Sequence, residues 1–130
     1  MKDPWNPTNE ELRDWAFDHD AMWPTQDFDL SVADLGFCEI ILELASDNTC
    51  PKQRFFVQCA YLIVGDAVRT DYKTATKLDV SGFLDKAKKT GNKHMLKFVE
   101  QSSDLMRNPL KFDYEQWCDG GLAHAQFKSQ

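Results

Sequence analysis

From Phe55 to Gly65 the chain runs eleven residues without a charge. Wound as a helix, Phe55, Phe56, Val57, Cys59, Ala60, Tyr61, Leu62, Ile63 and Val64 leave almost no polar face. Such a helix is stable only when other elements cover it on every side. A buried parallel strand is the competing form, since it also reads as a continuous apolar run. Two features favour the helix. The apolar pattern continues through Ala67 and Val68, and Pro51 precedes it, suited to the first helical position, where its missing N–H removes no bond. Eleven residues fall well short of the ~20 that a membrane span requires.

The rest of the chain punctuates as helices. Thr8-Asn9-Glu10-Glu11 is a capping-box pattern, and Leu12, Trp15 and Ala16 follow at helical spacing. This first helix is expected to end near Asp18–Asp20, after an extended segment over 1–8. Trp23-Pro24 marks a loop. Leu30, Ala33, Phe37, Ile40, Ile41 and Leu44 predict a second helix over about Asp27 to Ala45, with Gly36 as a point of breaking or bending. Thr70 to Lys77 reads as loop. Val80, Phe83, Leu84 and Ala87 form a short amphipathic helix, closed by Thr90-Gly91-Asn92. There Gly91 suits a left-handed C-terminal position, and Asn92 suits the cap of the next helix. Met95, Leu96, Phe98, Val99, Leu105 and Met106 carry that helix to Asn108-Pro109, which makes an αα-hairpin. Phe112, Tyr114 and Trp117 open a last helix, interrupted or ended at Gly120-Gly121. No segment alternates polar and apolar residues for long. At 130 residues the chain can bury roughly two-thirds of its unfolded surface. The expected fold is all-α: one domain over 1–130, built as a compact bundle or short stack of about six helices in antiparallel hairpins.

Charge divides the chain. Its first 50 residues hold 12 acidic and 2 basic side chains, and the remaining 80 hold 9 and 13, for a net charge of −6. An acidic half needs ample solvent or a basic partner. Glu10, Asp14 and Asp18 recur at i, i+4 and i+8 on the first helix; Glu39, Glu43 and Asp47 repeat that spacing on the second. Like charges at i, i+4 weaken a helix, and anions near its C-terminus oppose the dipole. Neither stripe has a base at its own spacing. The bland reading is two solvated faces; the functional one is a surface whose repulsion a cationic partner relieves. Asp20, Asp27 and Asp29 extend the acidic set. Trp5, Trp15, Trp23 and Phe28 lie among these acids, and tryptophan is favoured at binding hot spots. Trp15 and Phe28 fit the core, whereas Trp5 and Trp23 lie in loops beside proline. The candidate partner-binding residues are therefore Glu10, Asp14, Asp18, Asp20, Trp23, Asp27, Asp29, Glu39, Glu43 and Asp47.

Other chemistry has little support. Asp18-His19-Asp20 and Asp27-Phe28-Asp29 look like small acid or metal clusters, but a D-x-D triplet alone is a weak signal. His19, His94 and His124 are not at metal-ligand spacing. Cys38, Cys50, Cys59 and Cys118 form no CxxC pair and read as buried thiols. No phosphate loop, nucleophile elbow or zincin motif is present. The expectation is no enzyme, no cofactor and no metal. Lys73, Lys77, Lys86, Lys88, Lys89, Lys93 and Lys97 make the later half basic, but with few arginines or aromatics beside them. They are read as a solvated face that balances the acids, not as a nucleic-acid surface. The N-terminus has no apolar stretch of the signal-peptide kind, so a cytoplasmic location is expected.

Small size, net acidity, the helical pattern and the Asp/Trp-rich stretch carry a family likeness. Asp14-Trp15-Ala16-Phe17-Asp18 and then Trp23-Pro24-Thr25-Gln26-Asp27-Phe28-Asp29 resemble the immunity proteins of bacterial toxin systems, of the contact-dependent growth inhibition group. That group spans many folds, so no residue role transfers. The resemblance implies a cytosolic inhibitor that binds a basic toxin, often a nuclease, and covers its active site. The alternative is a helical adaptor or regulatory subunit, as a single chain or a homodimer. An enzyme using Asp18, His19 and Asp20 would need them gathered in a concave pocket.

Overall fold

The computed structural model describes residues 1–128. Among these, eight α-helices follow one another: α1 (Asn9–Phe17), α2 (Phe28–Val32), α3 (Cys38–Ala45), α4 (Gln53–Arg69), α5 (Lys77–Lys89), α6 (Lys93–Arg107), α7 (Tyr114–Trp117) and α8 (Gly121–Lys128). No strand occurs among the described residues, so the apolar run is helical. No helix is long and apolar enough to cross a membrane.

The all-round apolar pattern places α4 at the centre. It packs against α2, α3, α5, α6, α7 and α8, and Phe56, Val57, Cys59, Ala60 and Val64 have no exposed surface. One continuous core runs from Leu12 and Trp15 of α1, through α4, to Trp117 and Ala123 near the other end of the chain. Gly65 permits a close approach of the end of α7 to α4. A Cβ there would meet Trp117 Cβ at 2.9 Å and Cys118 Sγ at 3.2 Å. Pro51 does not open α4 as expected; Pro51 and Lys52 form a turn, and the helix begins at Gln53. The Gln53 side chain turns back to donate to Ala45 O at 3.0 Å, which serves the C-terminal end of α3.

The caps follow the sequence closely. The Thr8 hydroxyl accepts from Glu11 N–H at 3.1 Å, and the Glu11 carboxylate accepts from Thr8 N–H at 3.0 Å. Thr76 caps α5, and the Asn92 side chain accepts from His94 N–H at 2.9 Å to start α6. Between those two helices Gly91 adopts φ +66°, the left-handed conformation that glycine takes most readily.

Two expectations need correction. The segment before α1 is not extended. Asp3 O accepts from Asn6 N–H at 3.0 Å, closing a turn with Pro4 at its second position, where the fixed φ of proline is favourable. The helix expected over 27–45 does break into two helices, but not at Gly36. The break falls at Asp34, whose extended backbone and side-chain bond to Gly36 N–H (2.7 Å) replace helical hydrogen bonding. The last helix is interrupted where the sequence places the interruption, dividing into α7 and α8 with Gly120 at φ +86° between them.

Candidate functional site

The packing of α1 against α3 decides which acids remain available. Arg13, on the α1 flank facing α3, reaches across to Glu43: Nε lies 2.7 Å from Oε2, and Nη2 donates to Oε1 at 3.0 Å. This fork-to-fork contact holds the Glu43 carboxyl below its usual range and raises the Arg13 guanidinium. Glu39 accepts from Lys86 Nζ of α5 at 2.7 Å. Asp47 accepts from the backbone and hydroxyl of Thr49, at 2.9 and 2.6 Å, and those bonds lower its carboxyl. The second stripe is thus occupied by the protein's own groups. Sequence spacing could not show this, because both cations come from other elements.

The first stripe is different. Glu10, Asp14, Asp18, Asp20 and Asp27 are exposed, and none belongs to the ion pairs formed among the described residues. Asp29 is half-buried, and burial raises its carboxyl, helped by the nearby charge of Asp27. Its oxygen accepts from Leu30 N–H at 3.0 Å.

Asp18 Oδ1 accepts from Asp20 N–H at 3.0 Å, and beside these acids the turn after α1 is held in a fixed shape. Trp15, inward on α1, donates its indole N–H to Met22 O at 2.9 Å. Lys52 donates to Trp15 O at 2.8 Å and to Asp18 O, and its ammonium stands 4.9 Å over the Trp15 ring. A cation at a helix C-terminus meets the unpaired carbonyls that the dipole makes negative. The turn therefore displays Met22, which is 85% exposed, and Trp23, which is 48% exposed, next to exposed Phe17. Trp23 leans edge-on against Phe55 at 5.2 Å, so one side of its ring is anchored. Trp15 and Phe28 are core, in contact at 5.0 Å. Trp5 is 62% exposed and lines a separate groove with Leu30 and Phe37. Sequence reading missed Phe17 and Met22 as exposed apolar residues. Phe17 lies five positions after Leu12 and so off the Leu12–Trp15–Ala16 face, a spacing signal that went unused, and Met22 is an isolated apolar residue in a loop.

Among the described residues no three His, Cys, Asp or Glu gather to hold a metal. Asp18, His19 and Asp20 are all exposed. All four cysteines are free thiols; Cys50, Cys59 and Cys118 are buried, whereas Cys38 is only partly so. Burial, with Asp66 beside it, pushes the Cys118 thiol up to about 12, and an undissociated thiol is a poor nucleophile. Within the lysine-rich half, Lys86 joins Glu39 as above. No family model matches the chain, and neither does any curated protein or solved structure.

Proposed function

We propose that the chain is a protein-binding inhibitor of the immunity-protein kind, which docks on a basic protein through α1 and the turn that follows it. One observation carries this reading: α1 and the turn that follows it hold five exposed acids without an ion pair, together with three exposed apolar side chains, Phe17, Met22 and Trp23. Unneutralised carboxylates attract a cationic surface from a distance and speed encounter. The apolar group then supplies short-range residence, with Trp23 as the hot spot. The docking set narrows from ten residues to Glu10, Asp14, Asp18, Asp20, Trp23 and Asp27, joined by Phe17 and Met22. Glu39 and Glu43 already have cations of their own, and Asp47 is engaged with Thr49. A nuclease with a cationic active site is a partner of suitable charge.

The test is binding to the basic protein captured with this chain, or encoded beside it, at about 50 and about 300 mM salt. Affinity is expected to fall as salt rises. A variant with Glu10→Gln, Asp14→Asn, Asp18→Asn and Asp20→Asn should bind more weakly and lose most of that salt dependence. Trp23→Ala should lose about 2 kcal/mol or more of binding. Affinity indifferent to both salt and the acidic variant would remove the electrostatic basis of the proposal. Self-association through the apolar residues alone would favour the adaptor or regulatory subunit.

A further inference from the structure

The groove beside Trp5 lies where the N-terminal turn meets α2 and the chain leading into α3. It has a volume of about 490 Å³ and is lined among others by Trp5, Leu30, Ala33, Asp34 and Phe37. Leu30 is 56% exposed, so it is, like Trp5, a large apolar side chain left in water. Ala33 and Phe37 are partly buried and pack on the core, which fixes that side of the groove. Single exposed apolar residues need no account, but several around one concave site mark a docking surface.

Trp5 is held in place before any partner arrives. Its N–H donates to Asp3 Oδ1 at 3.0 Å, inside the turn that Asn6 N–H closes on Asp3 O. Pro4 and Pro7, on either side, fix their own φ angles and restrict the backbone there. An anchor already fixed costs less ordering on binding, and tryptophan is among the side chains that most often serve as one.

Charge selects the occupant. Asp34 lines the groove, Asp3 accepts from the Trp5 amide, and Asp29 accepts from the Leu30 amide. Asp3 and Asp34 are exposed, and neither belongs to an ion pair among the described residues. No lysine or arginine is among the lining residues, and none occurs in the chain between Arg13 and Lys52. A second copy seated by a two-fold contact brings the same carboxylates face to face, where they repel. A cationic occupant is attracted instead. Its backbone form follows from the walls. The amides of Leu30, Ala33, Gly36 and Phe37 are already bonded within their own turns, so an extended strand finds no ladder to join. A helix satisfies its own backbone and offers an apolar stripe with cations beside it.

We propose that this groove docks a cationic amphipathic helix of another protein, with Trp5 as the anchor. It shares no residue with the docking face on α1, and the inference does not rest on that face.

The intact chain would be titrated into a fluorescein-labelled Lys/Leu peptide of about 18 residues, its leucines spaced as one helical stripe, with anisotropy as the readout. A Glu/Leu peptide with the same leucine spacing is the control. The Lys/Leu peptide is expected to bind with Kd below roughly 100 μM, and the Glu/Leu peptide about tenfold or more weakly. Trp5→Ala and Leu30→Ser, both at exposed positions, should each weaken binding about tenfold without changing the melting temperature. Leu78→Ala, at an exposed leucine of α5, should leave affinity unchanged. The Trp5 dependence should persist when Glu10→Gln, Asp14→Asn, Asp18→Asn and Asp20→Asn are also present, which separates this groove from the face on α1. The proposal is overturned by absence of Lys/Leu binding, by equal binding of the two peptides, or by an unchanged affinity in Trp5→Ala. A dimer in sedimentation that Trp5→Ala dissolves would overturn it too, by placing a second copy in the groove.

Discussion

Asp29 is an acid in an unfavourable place. Burial raises its carboxyl from the ordinary 3.8, so between that value and the raised one the folded protein holds more protons than the unfolded chain. Stability therefore falls as pH rises through that window, and the full penalty is present above it. Asp29→Asn keeps an oxygen for Leu30 N–H and removes the charge. Its melting temperature is expected to exceed the parent's at pH 7, with the two curves converging as pH drops below the unfolded-state value. A variant less stable than the parent at pH 7 would show the opposite role for the charge. Gly65 gives a second residue-scale prediction. Alanine there puts a methyl against Trp117 Cβ, an atom fixed to its backbone. Gly65→Ala should cost about 1–3 kcal/mol in urea denaturation, as overpacking does.

At the scale of elements, α4 carries the structure. Phe56 and Leu62 are both covered, at 0% and 1% exposure, by helices on different sides. Phe56→Ala should cost about 3–5 kcal/mol and Leu62→Ala about 2–5 kcal/mol in denaturant unfolding. Leu78→Ala, at a residue on the exposed side of α5, should change stability by no more than about 0.5 kcal/mol. The central helix was legible because its apolar pattern leaves no polar face to misread. Thr8, Gly91 and Asn92 were legible because each cap is a bond within a few residues of sequence. The break at Asp34 was not, since a single side chain bonding to a nearby amide outcompeted an unbroken apolar rhythm on both sides. The two stripes looked alike for a related reason. What separates them is Arg13 and Lys86, which reach Glu43 and Glu39 from 30 and 47 positions away. The meeting of Gln58 with Cys118 and Gly120 was out of reach of any local pattern, because they come together only through packing.

Over the whole molecule, attraction between elements and repulsion along α1 coexist. Arg13 stitches α1 to α3, and Lys86 ties α5 to α3. Such exposed pairs contribute little to stability, but they remove two carboxylates from the outward field. The charges left on α1 and its following turn repel one another. Replacing Glu10, Asp14, Asp18 and Asp20 by their amides should leave the helical content intact and raise the melting temperature slightly at low salt. That gain should shrink as salt screens the repulsion. A loss of helix in circular dichroism would mean that these acids build the fold and do not merely decorate it.

The arrangement around α4 also bears on how the molecule comes apart. Like spokes on a single axle, the other helices have no second hub to hold them once it gives way. A cut in the turn after Arg69 would strand α5 and α6 with their oily flanks uncovered, so neither fragment is a refuge for half the fold. Trp15 near one end of the axle and Trp117 near its middle should therefore report the same denaturation midpoint, and the chain should pass from native to unfolded in one step.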